Sequence, residues 1–302
     1  MANSIEVILN AAAGSQRADE MSQILKRILQ GSGQSFHIAV AKGDEIHRIA
    51  QVRAAGDCKM IVAGGGDGTV CRIAQLVLPT GKLLGVLPLG TFNYFARNLR
   101  IPLDLEEAAR VLLNGTPTRA PVLNLDGRLV LNNASIGIHP AVLLQRRKLY
   151  QRWGRSQLNA YLSVFLTAFQ RAPRLRVRLA TDGGEVVRET PLVMACSNAY
   201  QMETFALAGL ECLPAKKFAL YVARMVGRAT TFRLGLRAIV RQLRVGIDYE
   251  SICVSDVTIE PVQRRHLRVA LDGELERLES PMRIRVAPQE LRVMSPREQK
   301  PG

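Results

Sequence analysis

Met60-Ile61-Val62-Ala63-Gly64-Gly65-Gly66-Asp67-Gly68-Thr69-Val70 runs from a short apolar segment into a glycine cluster and on into a helical period. A short apolar run without alternation is what a strand buried on both faces of a parallel sheet requires. Glycines let backbone N–H groups close on a ligand and tolerate positive φ. A helix beginning there aims the positive end of its dipole at the same point, which suits phosphate. Two readings of Asp67 stand: it caps the helix in a tight turn, or it holds Mg2+ directly or through water, with Thr69 adding a hydroxyl donor. No Gly-Lys-Ser/Thr follows, so this is not a Walker A loop, and G-x-G-x-x-G with a later acid is also missing.

The flanks repeat the grammar. Residues 5–10 read as a strand ending in a small-residue loop, Ala11 to Ser15, and Met21, Ile24, Leu25, Ile28 and Leu29 form a helical stripe. Residues 36–40 read as a second strand, 46–55 as a helix, 60–63 as the third strand, 70–78 as a helix and 83–87 as the fourth strand. Asp104, with Glu107 three residues on, resembles a capping box opening a helix over 105–113, and Gly115 closes it. Strands alternating with helices imply a doubly wound parallel sheet. Beyond residue 120 the pattern becomes β-rich, with runs at 129–133, 175–180, 192–197, 218–222, 251–259, 267–271 and 282–286. Two helical stretches, 141–171 and 225–246, interrupt it. The expected organisation is an α/β domain over residues 1–122, completed by 288–302, and a mainly antiparallel β domain over 123–287.

Composition narrows the classes. The 302 residues are 47% hydrophobic and 22% charged, which excludes a disordered chain. No stretch of about 18 residues is apolar throughout, and the N-terminus lacks early Lys or Arg, so a cytoplasmic location is expected. The five cysteines are scattered and never spaced C-x-x-C, which points to reduced, buried thiols rather than disulfides or zinc. The four histidines show no metal-ligand spacing. The net charge of +15 attracts polyanions.

Two further segments carry chemistry. Leu87-Pro88-Leu89-Gly90-Thr91-Phe92-Asn93-Tyr94-Phe95-Ala96-Arg97 follows the fourth strand, at the sheet end where open α/β folds bind ligands. Val269-Ala270-Leu271-Asp272-Gly273-Glu274 offers two carboxylates around a glycine, either as a hairpin turn or as a general base. Together the three segments resemble the diacylglycerol kinase catalytic-domain family, bacterial lipid kinases related to diacylglycerol and sphingosine kinases. The resemblance covers nearly the whole chain and implies an NAD kinase/diacylglycerol kinase-like fold.

Carried over by motif, the resemblance implies that Asn10 and Gly14, with Gly64, Gly65, Gly66, Asp67, Gly68 and Thr69, contact ATP. Gly90, Thr91 and Asn93 would line the same cleft. Asp67 would join the Mg2+ network, and Asp272 or Glu274 would act as base. The lipid head would enter between the domains. The chain departs from the family pattern where Ala11 replaces a proline and Tyr94 an acid, and no clear threonine lies around 39–44. Residues 213–220 also lack the acid of a second, structural Mg2+ site. The implied function is transfer of the γ-phosphoryl group of ATP to the hydroxyl of diacylglycerol or a related lipid, within phospholipid metabolism. The alternatives are a non-catalytic nucleotide- or membrane-binding relative and an NAD kinase-like enzyme acting on a soluble substrate.

The cations are grouped. Nine Lys and Arg and no acid occur over 145–180, and eight more over 216–247, again with no acid. Segments 146–178 and 216–244 thus read either as solvated faces or as surfaces that dock on an anionic membrane, giving a peripheral position on its inner face. Tyr150 and Trp153 stand among the first set as interfacial anchors do. With aromatic residues at 5% and no recognised motif, nucleic acid is disfavoured; a homodimer is left open.

Overall fold

The computed structural model describes residues 4–11, 15–153, 174–224, 228–262 and 265–297. The chain divides into two compact units, Met1–Pro121 with Pro288–Gly302, and Val122–Ala287.

The first unit is α/β. In chain order it comprises β1 (Ile5–Asn10), α1 (Ser15–Gln30), β2 (Phe36–Ala41), α2 (Asp44–Ala55), β3 (Met60–Gly65), α3 (Asp67–Val77), β4 (Leu83–Pro88), α4 (Tyr94–Asn98), α5 (Leu105–Asn114) and β5 (Thr116–Ala120). The last strand of the chain, β18 (Leu291–Ser295), joins the same sheet, whose order is β2-β1-β3-β4-β18-β5. β1 to β4 and β18 are parallel, and only edge strand β5 runs antiparallel. β3 and β4 are buried along their whole length, as strands covered on both faces must be. Glu6 is the one acid inside β1, and its burial is matched by His37 Nδ1 at 2.9 Å and Arg53 Nη1 at 3.2 Å. Asp104 caps α5, its carboxylate accepting the Glu106 and Glu107 N–H groups at 3.0 Å, while Ala108, Ala109 and Leu112 face the core.

The chain passes from β1 to β2 on one side and then returns to β3 on the other. The winding therefore reverses at β1 and β3, and their carboxyl ends frame the crevice where such folds bind ligands.

The second unit holds two antiparallel sheets. The strands are β6 (Leu123–Leu125), β7 (Arg128–Val130), β8 (Asn133–Gly137), β9 (Leu175–Thr181), β10 (Gly184–Thr190), β11 (Leu192–Cys196), β12 (Phe218–Ala223), β13 (Tyr249–Val254), β14 (Asp256–Pro261), β15 (His266–Leu271), β16 (Glu274–Glu279) and β17 (Met282–Val286). One sheet has the order β10-β9-β14-β17-β6-β7, the other β13-β12-β11-β8-β15-β16. A single apolar cluster draws on both, including Leu125, Val177 and Ile284 from the first and Ile136, Leu220 and Val269 from the second. Its helices are α6 (Ile138–Trp153), α7 (Ala199–Thr204) and α8 (Arg228–Ile239).

Several expectations need correction. The run at 251–259 is two strands, β13 and β14, in different sheets, and the run at 129–133 likewise divides between β7 and β8. The chain crosses from sheet to sheet at Ser255 and at 131–132 without any break in β propensity. Of the stretch read as helical over 225–246, the described part is helix over Arg228–Ile239, after which Arg241 takes a left-handed φ of 57° and stops it; residues 225–227 lie outside the described residues. Of the stretch read over 141–171, the described part is helical to Trp153; residues 154–173 lie outside the described residues. The cysteines are not all thiols: Cys212 and Cys253 form a disulfide with Cα atoms 5.2 Å apart, while Cys58, Cys71 and Cys196 are not disulfide-bonded. The pair is 41 residues apart in sequence. Only the packing of the 3-10 turn Leu210–Cys212 on β12, the neighbour of β13, brings the two together.

Candidate active site

Asn10 closes β1, and its Nδ2 donates to Thr69 Oγ1 at 2.7 Å across the reversal point of the sheet. Since Thr69 Oγ1 accepts this bond, its own proton remains to be donated elsewhere. The turn between β3 and α3 is as close-packed as its glycines suggest. A Cβ on Gly64 would stand 2.4 Å from Leu9 Cδ2, and one on Gly65 would stand 2.6 Å from Thr69 Cβ. Gly66 is the N-cap of α3 in extended conformation and brings no side chain to the helix end. The N–H groups of Thr69 and Val70 turn back to Gly66 O at 2.9 and 3.0 Å, so the helix begins sharply, with Asp67 and Gly68 in its first turn. An uncapped first turn of an eleven-residue helix presents amide donors and a positive dipole end.

The loop after β4 is fastened to this turn. Gly90 lies so near Gly66 that a Cβ on Gly90 would be 2.4 Å from Gly66 Cα. Asn93, buried and left-handed at φ 52°, stitches its own loop: Oδ1 accepts the Gly90 N–H at 2.9 Å, and Nδ2 donates to Gly90 O at 2.9 Å and Pro88 O at 3.2 Å. Thr91 lies between them, half-buried. Asp67 completes the clasp, because its Oδ1 accepts the Phe95 N–H at 3.1 Å. The Asp67 side chain thus ties two loops together rather than capping its own helix. Burial raises the Asp67 carboxyl above its ordinary range, and backbone amides of 93–95 oppose that rise without cancelling it.

Gly90→Ala is expected to force the two loops apart, because its methyl group would meet backbone rather than a yielding side chain. The expected cost is about 1–3 kcal/mol of stability, together with a loss of nucleotide affinity of at least about tenfold. Thermal melts and a nucleotide titration on the same preparation check it.

The late carboxylates belong to the second unit and differ sharply from each other. Asp272 is buried, at φ 47°, and accepts backbone N–H groups of Leu131 at 2.7 Å, Asn132 at 2.6 Å and Asn133 at 3.1 Å. Leu131 and Asn132 lie in the passage between sheets and Asn133 opens β8, and the carboxylate gives all three amides an acceptor. Glu274, the first residue of β16, is exposed. Gly14 lies outside the described residues.

A magnesium site can be judged from the donor set. Among the described residues one group of three potential ligands converges, Glu211, Cys212 and Cys253, and its two sulfurs are bonded to each other. Among the described residues Asp67 thus has no cage of acids around it. One carboxylate with open coordination suits Mg2+ that arrives on phosphate oxygens, and it does not suit a dedicated protein cage.

A polar network near Asp272 escaped the reading of the sequence. Asn133 Nδ2 donates to Gln201 Oε1 at 2.9 Å, and Asn198 Nδ2 donates to Asn132 Oδ1 at 2.6 Å. Asn198 also caps α7 through Gln201 N–H at 2.8 Å. The adjacent pair Asn132-Asn133 in an apolar stretch was the available signal.

The family model for the diacylglycerol kinase catalytic domain matches residues 4–125. The chain is 32% identical over 136 residues to the diacylglycerol kinase of Bacillus subtilis (strain 168), covering 43% of this chain and 45% of that protein. It is 35% identical over 138 residues to a probable lipid kinase YegS-like of Chromohalobacter salexigens, covering 43% of each. The matched region is therefore less than half the length of either relative. Over its whole length the chain is similar in fold to a crystal structure of a putative diacylglycerol kinase from Bacillus anthracis str. Sterne. The TM-score there is 0.76 at 21% identity, over 97% of both chains.

Proposed function

We propose that this chain is a kinase of the diacylglycerol kinase family that transfers the γ-phosphoryl group of ATP to a lipid hydroxyl, a reading supported by the match of residues 4–125 to that family's catalytic-domain model. One observation carries the reading: the Gly66–Gly90 contact and the Asp67–Phe95 bond join the two glycine loops into one cradle at the sheet's reversal point. The triphosphate would rest on the first-turn amides of α3, with the Thr69 hydroxyl, oriented by Asn10, donating to a phosphate oxygen. Gly90, Thr91 and the loop held by Asn93 would form the facing wall. Mg2+ carried on the nucleotide would meet Asp67 and neutralise phosphate charge.

In the transfer step the acceptor hydroxyl gives its proton to Glu274 while its oxygen bonds to the γ-phosphorus. The bond from that phosphorus to the β,γ-bridging oxygen breaks, and ADP departs. We assign Asp272 a positioning role, because three amides occupy its carboxylate. Diacylglycerol or a related membrane lipid is the proposed acceptor, met on the inner face of an anionic membrane. Among the described residues no helix is long and apolar enough to cross a bilayer, so such an enzyme would meet its lipid from the surface.

Incubation with γ-labelled ATP and vesicles containing a panel of membrane lipids tests the proposal, and a labelled lipid is the expected product. Folded protein that binds nucleotide yet labels no lipid, or that labels NAD instead, would overturn it.

A further inference from the structure

The second unit carries an exposed surface that neither its core nor its sheets explain. Ten large hydrophobic side chains are exposed among the described residues, and four of them, Leu236, Val240, Val245 and Ile247, fall within twelve consecutive positions. Each is about half exposed, at 49–51%. Arg233, Arg241 and Arg244 are exposed in the same segment, which contains no acid before Asp248. Asp248 is itself fully buried, so it does not neutralise the outer face.

This segment is braced. Arg237 Nη1 reaches both Asp248 oxygens at 2.8 Å, and the Arg244 N–H donates to the same carboxylate at 3.0 Å. Gln242 N–H returns to Arg237 O at 2.8 Å, and Gly246 N–H to Tyr249 O at 2.8 Å. Leu243 turns inward against a small cluster that includes Tyr221 and Tyr249. Alternate residues are thus anchored while aliphatic and cationic ones are held outward.

We propose that residues 233–247 form the tip by which the chain docks on an anionic bilayer, with Leu236, Val240, Val245 and Ile247 entering the acyl boundary and Arg233, Arg241 and Arg244 meeting lipid phosphates. Aliphatic side chains beside guanidinium groups match that interface. A nucleic-acid surface instead needs stacking aromatics, which the described side chains of the tip do not offer. The inference deepens the kinase reading, since docking would bring the enzyme to its acceptor.

The test is co-sedimentation of the full chain, without nucleotide, with phosphatidylcholine vesicles that contain or lack phosphatidylglycerol. The variants are Val240→Ser with Ile247→Ser, and Arg241→Gln with Arg244→Gln, all exposed positions, with circular dichroism confirming the fold. Binding confined to anionic vesicles is expected, and each double variant should weaken it by about tenfold or more. Added salt should reduce wild-type binding far more than that of the arginine variant. Wild-type levels of binding by both variants, no binding by wild type, or tighter binding to RNA than to vesicles would each overturn the proposal. Because no ATP is present, docking without lipid phosphorylation would sink the kinase reading alone.

Discussion

Asp67→Asn is expected to lower the proposed phosphoryl transfer by about 100-fold or more and to yield an unliganded protein at least as stable as wild type at neutral pH. The rate falls because the residue loses the charge that would meet the nucleotide's Mg2+. Stability follows from the linkage sign. Burial raises the folded carboxyl above its ordinary value of 3.8, so the folded state holds this proton more tightly than the unfolded chain does. The group's contribution is therefore fully present below the unfolded pKa and is lost as pH rises through the folded one. Asparagine keeps an oxygen for the Phe95 N–H and carries no charge to desolvate. Melting temperatures of both proteins across the acid-to-neutral range should converge at the acid end and separate in favour of the variant as pH rises. A variant that is less stable at neutral pH, or fully active, contradicts this account of the clasp.

The two late carboxylates should separate by phenotype. Asp272→Ala strips partners from three buried amides, so a loss of about 3–5 kcal/mol in unfolding free energy is expected, large enough to leave little folded protein. Asp272→Asn retains one acceptor oxygen and should fall between. Glu274→Gln, on an exposed position, should change stability by no more than about 0.5 kcal/mol while lowering turnover by about 100-fold or more. Denaturant melts and single-turnover rates on the same preparations decide the assignment. An active Glu274→Gln beside a stable but inactive Asp272→Asn would move the base to Asp272.

How far sequence carries the fold depends on where each strand lies. The apolar runs at 5–10, 60–63 and 83–87 are legible because burial on both faces demands uninterrupted hydrophobicity. Three of the strands that went unread, β5 (Thr-Pro-Thr-Arg-Ala), β10 (Gly-Glu-Val-Val-Arg-Glu-Thr) and β16 (Glu-Leu-Glu-Arg-Leu-Glu), each close one side of a sheet. Edge strands carry charge and proline, which guards against pairing with other chains, so their pattern is weak. The sheet-to-sheet crossings at 131–132 and Ser255 leave no local mark either, since both sides favour β structure.

At the site, the residue types were legible but not all their uses. Glycine spacing marked both loops for close approach to a ligand, but did not show that Gly66 and Gly90 would meet each other. It could not foretell that Asn93 would use its side chain on backbone groups of its own loop, or Asp67 on the backbone of the facing one. Nor could it separate Asp272 from Glu274, because the amides that occupy Asp272 come from residues about 140 positions away. Such partners are set by topology and not by neighbours in the chain.

Calorimetric titration of the wild-type chain with the magnesium complex of a non-hydrolysable ATP analogue reaches the root of the account. One saturable site is expected, weakened at least about tenfold by Gly90→Ala and dependent on Mg2+ in the wild type but not in Asp67→Asn. A folded wild-type protein that releases no heat and shows no saturation with the analogue would contradict it.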